Sequence, residues 1–364
     1  MSGELRLGTR GSQLALWQAN MVAARIAEAG GPPCRIVVIK TAGDRLQEAP
    51  LSTIGGKRLF VKEIEDALLR SEIDLAVHSS KDMPAVLPDG LTIAGVLPRE
   101  DPLDAIVLPI GPQASGLGPQ GQVHGSRASG TGPPSARGHQ PSAISHRPVT
   151  VEDLLAILGQ TPSFGTGSVR RIAQLTRLFP DARFAPIRGN LDTRLRKLDE
   201  GAYDAIVLAA AGLRRLGFGA RIAMTVPAGA CVPAPGQGIV AIEIRDGDED
   251  VRRAVAPIED AAAAAALAAE RAVVETLGGG CQTPVGALAT PVDGHRLELI
   301  AVVVALDGSR AVRERTVGPW ADARALGVRA GLALLDQGAG EILADARRQS
   351  PSGAAAPPPG GGDD

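Results

Sequence analysis

Residues 187–217 read IRGNLDTRLRKLDEGAYDAIVLAAAGLRRLG, and this stretch decides the fold class. A turn at Gly189 and Asn190 follows a short apolar run and begins a helical segment. A second apolar run, Ala205 to Leu208, then precedes another helical segment. Strand-like runs that alternate with helices are typical of α/β domains with largely parallel sheets.

The same kind of strand-like run recurs in the first third of the chain, at Leu5 to Leu7, Ile36 to Ile39, Leu75 to Val77 and Ile106 to Leu108. Ligands of such folds bind beyond the carboxyl ends of the strands, so the residues that follow the runs are candidate site residues. These are Gly8 to Ser12, His78 to Asp82 and Ala209 to Gly212. Two of these three stretches are polar and charged.

The composition indicates a soluble globular protein of two or three domains. The 364 residues are 44% hydrophobic and 21% charged, with a net charge of −2. Because the net charge is near zero and only 2% of residues are aromatic, we expect no nucleic-acid partner. Cys34, Cys231 and Cys281 have no metal-ligand spacing, so we expect neither a metal site nor a disulfide framework.

No apolar stretch reaches the length of a membrane-spanning helix, and the first residues lack an apolar segment behind a basic start. We therefore expect no membrane association and a cytoplasmic location. We also expect a monomer.

The chain divides into three predicted domains and a tail. Residues 1–104 and 237–258 form the first lobe, residues 105–236 the second, and residues 259–349 a small α/β domain. Residues 350–364 form a disordered tail. Within the second lobe, residues 111–150 contain 8 Gly, 6 Pro and 6 Ser and no acidic residue, so we predict a disordered insertion.

Basic residues concentrate in one part of the chain. Between Gly165 and Arg215, nine arginines and Lys197 stand against five acids. The loop Gly165 to Ser168 leads into Arg170 and Arg171, a pattern that favours an anion at a helix start. A solvated basic face is the alternative interpretation. Further cations or hydroxyls at strand ends strengthen the anion prediction, namely Arg10, Ser12, Lys57, Arg188 and Arg194.

Asp82 is an acid among these candidate cations. Beside His78 and Lys81 it would accept hydrogen bonds from N–H groups and stabilise a developing positive charge. The alternative role is a helix N-cap.

Cys281 follows three glycines, which makes it a candidate reactive thiol, although an inert cysteine is the more common case.

Eight segments in order resemble the porphobilinogen deaminase family, also called hydroxymethylbilane synthases. They are LRLGTRGSQLALWQA, GGKRLFVKEIEDALL, DLAVHSSKDMP, REDPLDA, SVRRIAQL, residues 187–217, PAPGQG and LGGGCQTPVGA. The resemblance implies a three-domain transferase of tetrapyrrole biosynthesis, with two lobes like those of periplasmic binding proteins and a C-terminal α/β domain. It implies that four porphobilinogen molecules condense head to tail, with loss of ammonia, on a dipyrromethane cofactor.

The resemblance also implies roles for individual residues. Cys281 would carry the dipyrromethane through a thioether, and Asp82 would be the catalytic carboxylate that binds pyrrole N–H groups. The positions that match cofactor- and substrate-binding residues of the family are Arg10, Ser12, Lys57, Phe60, Ser79, Lys81, Thr166, Ser168, Arg170, Arg171, Arg188, Arg194, Arg215 and Gln237.

Two positions depart from the family pattern, because Gly167 replaces a serine in the glycine loop and Thr53 stands where many members have a lysine. The alternative function is a two-lobed protein that binds an anionic solute without catalysis. It would have no need of a third domain with a loop cysteine.

Overall fold

The computed structural model of the chain describes residues 3–42, 61–110, 151–278 and 283–349. Three β-sheets organise these residues, two of them mixed and five-stranded and the third antiparallel and three-stranded. Helices cover the sheets. This arrangement confirms the predicted fold class of two α/β lobes with mostly parallel sheets and a smaller C-terminal α/β domain.

The first sheet has the strand order β2-β1-β3-β10-β4, and only β10 runs antiparallel to its neighbours. Its strands are β1 (Leu5–Thr9), β2 (Cys34–Val38), β3 (Leu75–Ser79), β4 (Leu91–Val96) and β10 (Val240–Arg245). Its helices are α1 (Gln13–Glu28), α2 (Lys62–Leu69) and α7 (Glu249–Val255). Strands β3 and β10 are buried along most of their length, as expected for the centre of a sheet covered on both faces.

The second sheet repeats this plan with the order β7-β6-β8-β5-β9, and β5 is the strand that runs antiparallel to its neighbours β8 and β9. Its strands are β5 (Asp104–Val107), β6 (Ser163–Gly165), β7 (Arg183–Ala185), β8 (Ala205–Ala209) and β9 (Ile222–Val226). Its helices are α3 (Val151–Leu158), α4 (Val169–Leu175), α5 (Leu191–Asp199) and α6 (Ala210–Arg215).

Two crossover segments join these sheets. The chain leaves the first sheet after β4 and enters the second as β5, and it returns after β9 as β10. Strands β5 and β10, which follow the crossovers, run antiparallel to their neighbours. The first residues of β5 and β10 therefore lie at the edge of the sheet where the neighbouring strands end. The crossovers therefore bring residues from both lobes to the edges where ligands of α/β folds bind.

The third sheet, β11-β12-β13, packs against three helices. Its strands are β11 (Val285–Pro291), β12 (Arg296–Val304) and β13 (Ala311–Pro319), and its helices are α8 (Ala261–Thr276), α9 (Ala323–Asp336) and α10 (Ala339–Gln349). The predicted alanine-rich helix and the two closing helices are therefore confirmed. The exact domain boundaries given above remain a prediction.

Aliphatic side chains build the cores, as the low aromatic content predicts. Leu5, Leu7 and Ile26 are buried between β1 and α1, and each contributes about 2 kcal/mol by leaving water. Helix α8 also packs on the first sheet, where Leu267 joins a cluster with Met83 and Val96. The third domain is thus anchored next to the loop that follows β3.

Candidate functional site

The loop after β3 carries Asp82. Residues Ser80–Asp82 form one turn of 3-10 helix, and Ser79 occupies its N-cap position. The alternative prediction of Asp82 as a helix N-cap is therefore wrong. Lys81 Nζ donates to Gln237 Oε1 at 3.4 Å, which links this loop to the returning crossover.

Two arginines of the second lobe, Arg188 and Arg194, act on each other electrostatically, and Asp82 acts on Arg194. Arg194, near the start of α5, is held by a 2.8 Å bond from its Nε to the Gly189 carbonyl. Burial lowers the pKa of Arg194 to about 10, Arg171 and Arg188 act in the same direction, and Asp82 acts in the opposite one. Burial also lowers the pKa of Arg188. The cleft at this point holds more positive than negative charge, which is the condition for binding an anion.

The glycine loop after β6 forms the predicted helix start. Ser168 Oγ accepts a hydrogen bond from the Arg171 backbone N–H at 3.5 Å and so caps α4, while Thr166 Oγ1 accepts from Ser168 N at 3.3 Å. Arg170 and Arg171 are only 4% and 7% exposed, so the alternative of a solvated basic face is wrong.

Both of these arginines contact Asp104, a partner that we did not predict. Arg170 Nη1 donates to Asp104 Oδ2 at 2.7 Å, and Arg171 Nη2 donates to Oδ1 at 2.8 Å. Burial of the carboxyl raises the pKa of Asp104, but the attraction of the two guanidinium groups is larger. The pKa of Asp104 therefore lies well below its usual range. In this structure both guanidinium groups therefore donate hydrogen bonds to protein atoms, and neither is left unpaired for a ligand.

Gln237 lies at the centre of the crossovers and is buried. Its Nε2 donates to the Pro102 carbonyl at 2.7 Å and to Asp104 Oδ1 at 2.9 Å. Its Oε1 accepts a hydrogen bond from Lys81, so both the nitrogen and the oxygen of the amide have partners. Gln237 therefore connects the loop of Asp82 to the Asp104 cluster.

Arg10, Ser12 and Ser79 of the first lobe lie at the same sheet edge. Ser12 caps α1 by accepting from Ala15 N at 3.3 Å, and Ser79 exchanges hydrogen bonds with Gln18. Arg10 directly follows β1 and is half-buried.

Arg215 approaches from the second lobe, at the end of α6. Its guanidinium donates to the Gly238 carbonyl at 2.7 Å and lies 5.7 Å from the centre of the Trp17 ring. Burial lowers its pKa. Arg215 thus adds a half-buried cation between the lobes.

Lys57, Phe60 and Cys281, together with Thr53, lie outside the described residues. Their predicted roles are proposals taken up below. The predicted insertion at 111–150 and the tail at 350–364 also lie outside the described residues.

Sequence reasoning missed Asp104, although a signal was present. It precedes the apolar run Ala105 to Leu108 and follows Pro102 within the REDPLDA segment. An acid at the first position of a fully buried strand requires a cationic partner, and basic residues were already concentrated further along the chain. Which arginines it binds depends on how β5 and α4 pack.

Across residues 3–42, 61–110, 151–278 and 283–349, no group of three or more acidic, histidine or cysteine side chains is placed to hold a metal ion. In the same ranges, every helix is too short or too polar to cross a bilayer. The arrangement instead offers one carboxylate beside several buried cations. Such a site can hold a ligand that carries carboxylates and N–H groups.

The two lobes, the third domain and the cations of the strand ends define a multidomain α/β protein with basic residues gathered where its two lobes meet. The family model described as "Porphobilinogen deaminase, dipyromethane cofactor binding domain" matches residues 5–129 and 142–253. The model "Porphobilinogen deaminase, C-terminal domain" matches residues 264–336. The chain belongs to the porphobilinogen deaminase family, a group of transferases in tetrapyrrole biosynthesis, and contains its dipyrromethane cofactor binding domain.

Curated relatives agree with the family models over nearly the whole chain. The porphobilinogen deaminase of Syntrophobacter fumaroxidans is 42% identical over 346 residues, which cover 94% of this chain and 98% of the relative. That of Moorella thermoacetica is 41% identical, covering 95% and 98%. The predicted family and cofactor are thus confirmed, and the alternative of a solute-binding protein without catalysis is wrong. Of the predicted insertion, only residues 130–141 fall outside the family match.

Two solved structures match part of the chain at low identity. An ancestral cationic amino acid solute-binding protein covers 70% of this chain and 86% of its own, at 14% identity and a TM-score of 0.36. The periplasmic VFT2 domain of Bordetella pertussis BvgS covers 70% and 85%, at 14% identity and a TM-score of 0.35.

Proposed function

We propose that Asp82 is the catalytic carboxylate of this enzyme and that the surrounding cations hold the carboxylates of porphobilinogen and of the cofactor. The overall reaction is the stepwise condensation of four porphobilinogen molecules with release of ammonia, followed by hydrolytic release of hydroxymethylbilane. The observation that carries the assignment is the position of Asp82 in the turn after β3, next to Lys81, which the Gln237 amide holds, and within electrostatic reach of Arg194.

The donor set fits a dipyrromethane. Each pyrrole of that group carries an acetate and a propionate, and carboxylates are best bound by guanidinium and ammonium donors. Burial lowers the pKa of Arg188, Arg194 and Arg215, so these cations lack sufficient negative charge in the protein itself. A bound polycarboxylate supplies that charge.

The cofactor supplies the pyrrole carbon on which the new chain begins to grow. The residues of the chain provide orientation and charge. Asp82 accepts hydrogen bonds from pyrrole N–H groups and stabilises the positive charge that develops on porphobilinogen as its aminomethyl group loses ammonia. A carboxylate fixed before the reaction stabilises that charge more than water does, because no solvent has to reorganise.

In this proposal the other predicted cations and hydroxyls bind carboxylates, Phe60 packs near the pyrroles, and Gln237 lies near the same cleft. Arg188, Arg194 and Arg215 line the second lobe, whereas Lys81 lies on the first. The remaining proposed binding residues are Arg10, Ser12, Lys57, Phe60, Ser79, Thr166, Ser168, Arg170, Arg171 and Gln237. Gly167 provides no hydroxyl, and we expect one hydrogen bond fewer there, at a cost of about 1 kcal/mol.

Cys281 is the proposed attachment point of the dipyrromethane, through a thioether. Cys231 is buried beside Asp104 and Arg170, and burial raises its pKa to about 12, so its thiol is a poor nucleophile. Cys34 is half-buried, and burial raises its pKa as well. We further propose that the enzyme acts as a cytoplasmic monomer with porphobilinogen as its partner.

Intact-protein mass spectrometry of purified protein tests this assignment. Wild type, Cys34→Ser and Cys231→Ser should each carry an adduct of two pyrrole units and convert porphobilinogen. Cys281→Ser should fold, carry no adduct and be inactive. Adduct in Cys281→Ser would refute the attachment site, and adduct without turnover in wild type would indicate a homologue that has lost catalysis.

A further inference from the structure

Asp104 is the carboxylate at which the outgoing crossover enters the second sheet. It is fully buried, and four side chains donate to it, one of them the Cys231 thiol. Arg170 does so at 2.7 Å, Arg171 at 2.8 Å and Gln237 at 2.9 Å. One carboxylate therefore orients two guanidinium groups and one amide.

Arg170 is committed to protein groups. Besides Asp104, its Nη1 donates to the Val232 carbonyl at 2.7 Å, and its Nε is buried without a hydrogen-bond partner among the described residues. Arg171 also donates from Nη1 to the Val207 carbonyl at 2.9 Å. The two arginines and Asp104 together carry one net positive charge, so the cluster retains an attraction for anions after its internal pairing.

Two connections run from Asp104 toward the catalytic carboxylate. The first passes through Gln237 to Lys81, the residue next to Asp82 in the first lobe. The second is electrostatic, because Arg171, which donates to Asp104, and Asp82 both act on the charge of Arg194 in the second lobe. The connections reach Asp82 from both lobes.

We propose that Asp104 is a positioning residue for substrate binding. Its buried carboxylate orients Arg171 and, through Gln237, Lys81 on the two sides of Asp82. Asp104 does not touch the substrate. The proposal rests on the proposed function, because it takes the carboxylates of porphobilinogen as the groups that these cations bind.

The Asp104→Asn variant keeps the shape of the side chain and removes its charge. The amide keeps one oxygen and replaces the other with an NH2 group, so Arg171 and Gln237 then lose the charged acceptor that orients them, and substrate binding loses at least one charge-assisted hydrogen bond. We expect KM for porphobilinogen to rise about tenfold or more, with little change in kcat per active molecule. A purely structural role would instead reduce the fraction of active molecules at an unchanged KM.

Because Asp104→Asn leaves two buried guanidinium groups without a counterion, it could unfold the protein. The double variant Asp104→Asn/Arg170→Met also removes one buried positive charge and should fold. Its KM should remain raised, since Arg171 and Gln237 still lack the carboxylate. A third variant, Gln237→Met, keeps both ion pairs of Asp104 and removes the amide that joins Lys81 to Asp104 and to the Pro102 carbonyl, so it should also raise KM.

Asp74→Asn is the matched control. The Asp74 carboxylate accepts hydrogen bonds from Arg6 Nε at 3.0 Å and from Arg6 Nη2 at 2.7 Å. Asp74 precedes β3, whereas Asp82 follows the other end of that strand. Its loss should lower the thermal unfolding temperature and leave KM unchanged.

The experiment measures steady-state kcat and KM on the holoenzymes, with the active fraction taken from the dipyrromethane adduct in the intact mass. A raised KM in the folded Asp104 variants and in Gln237→Met, but not in Asp74→Asn, supports the proposal. A KM within about twofold of wild type in these variants overturns it. A wild type without adduct and turnover would refute the proposed function itself, so the two failures are distinguishable.

Discussion

Arg99 and Glu270 form a bidentate ion pair that joins the outgoing crossover to helix α8 of the third domain. Arg99 Nη1 and Nη2 donate to the two Glu270 carboxylate oxygens at 2.7 and 2.8 Å, and Glu270 is fully buried. Glu270 also accepts from the backbone N–H of Gly236, and Arg99 Nε donates to the Gln237 carbonyl. One pair therefore fixes the third domain against both crossovers.

Glu270→Gln should destabilise the protein by about 3 kcal/mol, because it leaves Arg99 buried without its counterion. Urea unfolding of holoenzyme measures the change. Glu298→Gln is the control, since Glu298 pairs with the exposed Arg315 and its loss should cost less than about 1 kcal/mol. Equal effects of the two changes would show that the Arg99 pair does not anchor the third domain.

Asp82→Asn should lower the rate of ammonia release about 100-fold or more, because it removes the negative charge that meets the developing cation. Folding stability should change little, since Asp82 is half-buried in a loop rather than packed in a core. Single-turnover ammonia release at saturating porphobilinogen measures the rate. Release at the wild-type rate would remove Asp82 from the catalytic role.

Arg188→Leu should raise KM for porphobilinogen about tenfold while kcat changes little, because the change removes a carboxylate donor and not the group that meets the transition state. Its unfolding temperature should not fall, since burial and Arg194 already disfavour the charge of Arg188. Arg183→Leu serves as the control, because Arg183 is exposed at the opposite end of the neighbouring strand β7. A similar KM for both variants would exclude Arg188 from the binding set.

Removal of the cofactor should destabilise the protein. Without a polycarboxylate in the cleft, the half-buried cations Arg188, Arg194 and Arg215 lack sufficient compensating charge. We expect cofactor-free Cys281→Ser to unfold about 5 °C below wild-type holoenzyme. Cys34→Ser, which should retain the cofactor, is the comparison. Unfolding at equal temperatures would argue that the cations are compensated by the protein alone.

Cys231 should resist alkylation in the folded enzyme at pH 8. Burial raises its pKa to about 12, so the thiol stays neutral up to that pH and becomes reactive only on unfolding. Because the folded pKa lies above the unfolded one, this group favours folding below about pH 9 and loses that effect as pH rises toward 12. Iodoacetamide labelling of Cys34→Ser, with and without urea, measures the difference by mass. Rapid labelling without urea would contradict the buried position.

Much of the site was predictable because its residues lie next to strands in the sequence. Asp82 follows β3, Arg188 follows β7, and Ser168 begins a helix after a glycine loop, so strand-and-turn patterns place them at sheet edges. Local chemistry also explains the caps at Ser12 and Ser168, since each serine accepts from a backbone N–H three residues later.

The partners of the buried charges were not predictable in this way. Arg170 meets Asp104 across 66 positions of sequence, Gln237 meets Asp104 across 133, and Arg99 meets Glu270 across 171. The pattern of residues around one partner does not predict which distant residue it will contact.

The sequence by itself therefore determined the α/β class, the cationic strand ends and the family to which the chain belongs, because these depend on local patterns and ordered motifs. The tertiary structure alone decided that Arg170 and Arg171 are held by Asp104 and that Glu270 anchors the third domain. Burial makes an unpaired charge costly, so each of these groups requires a partner, but only the packing of the crossovers brings the partner within reach.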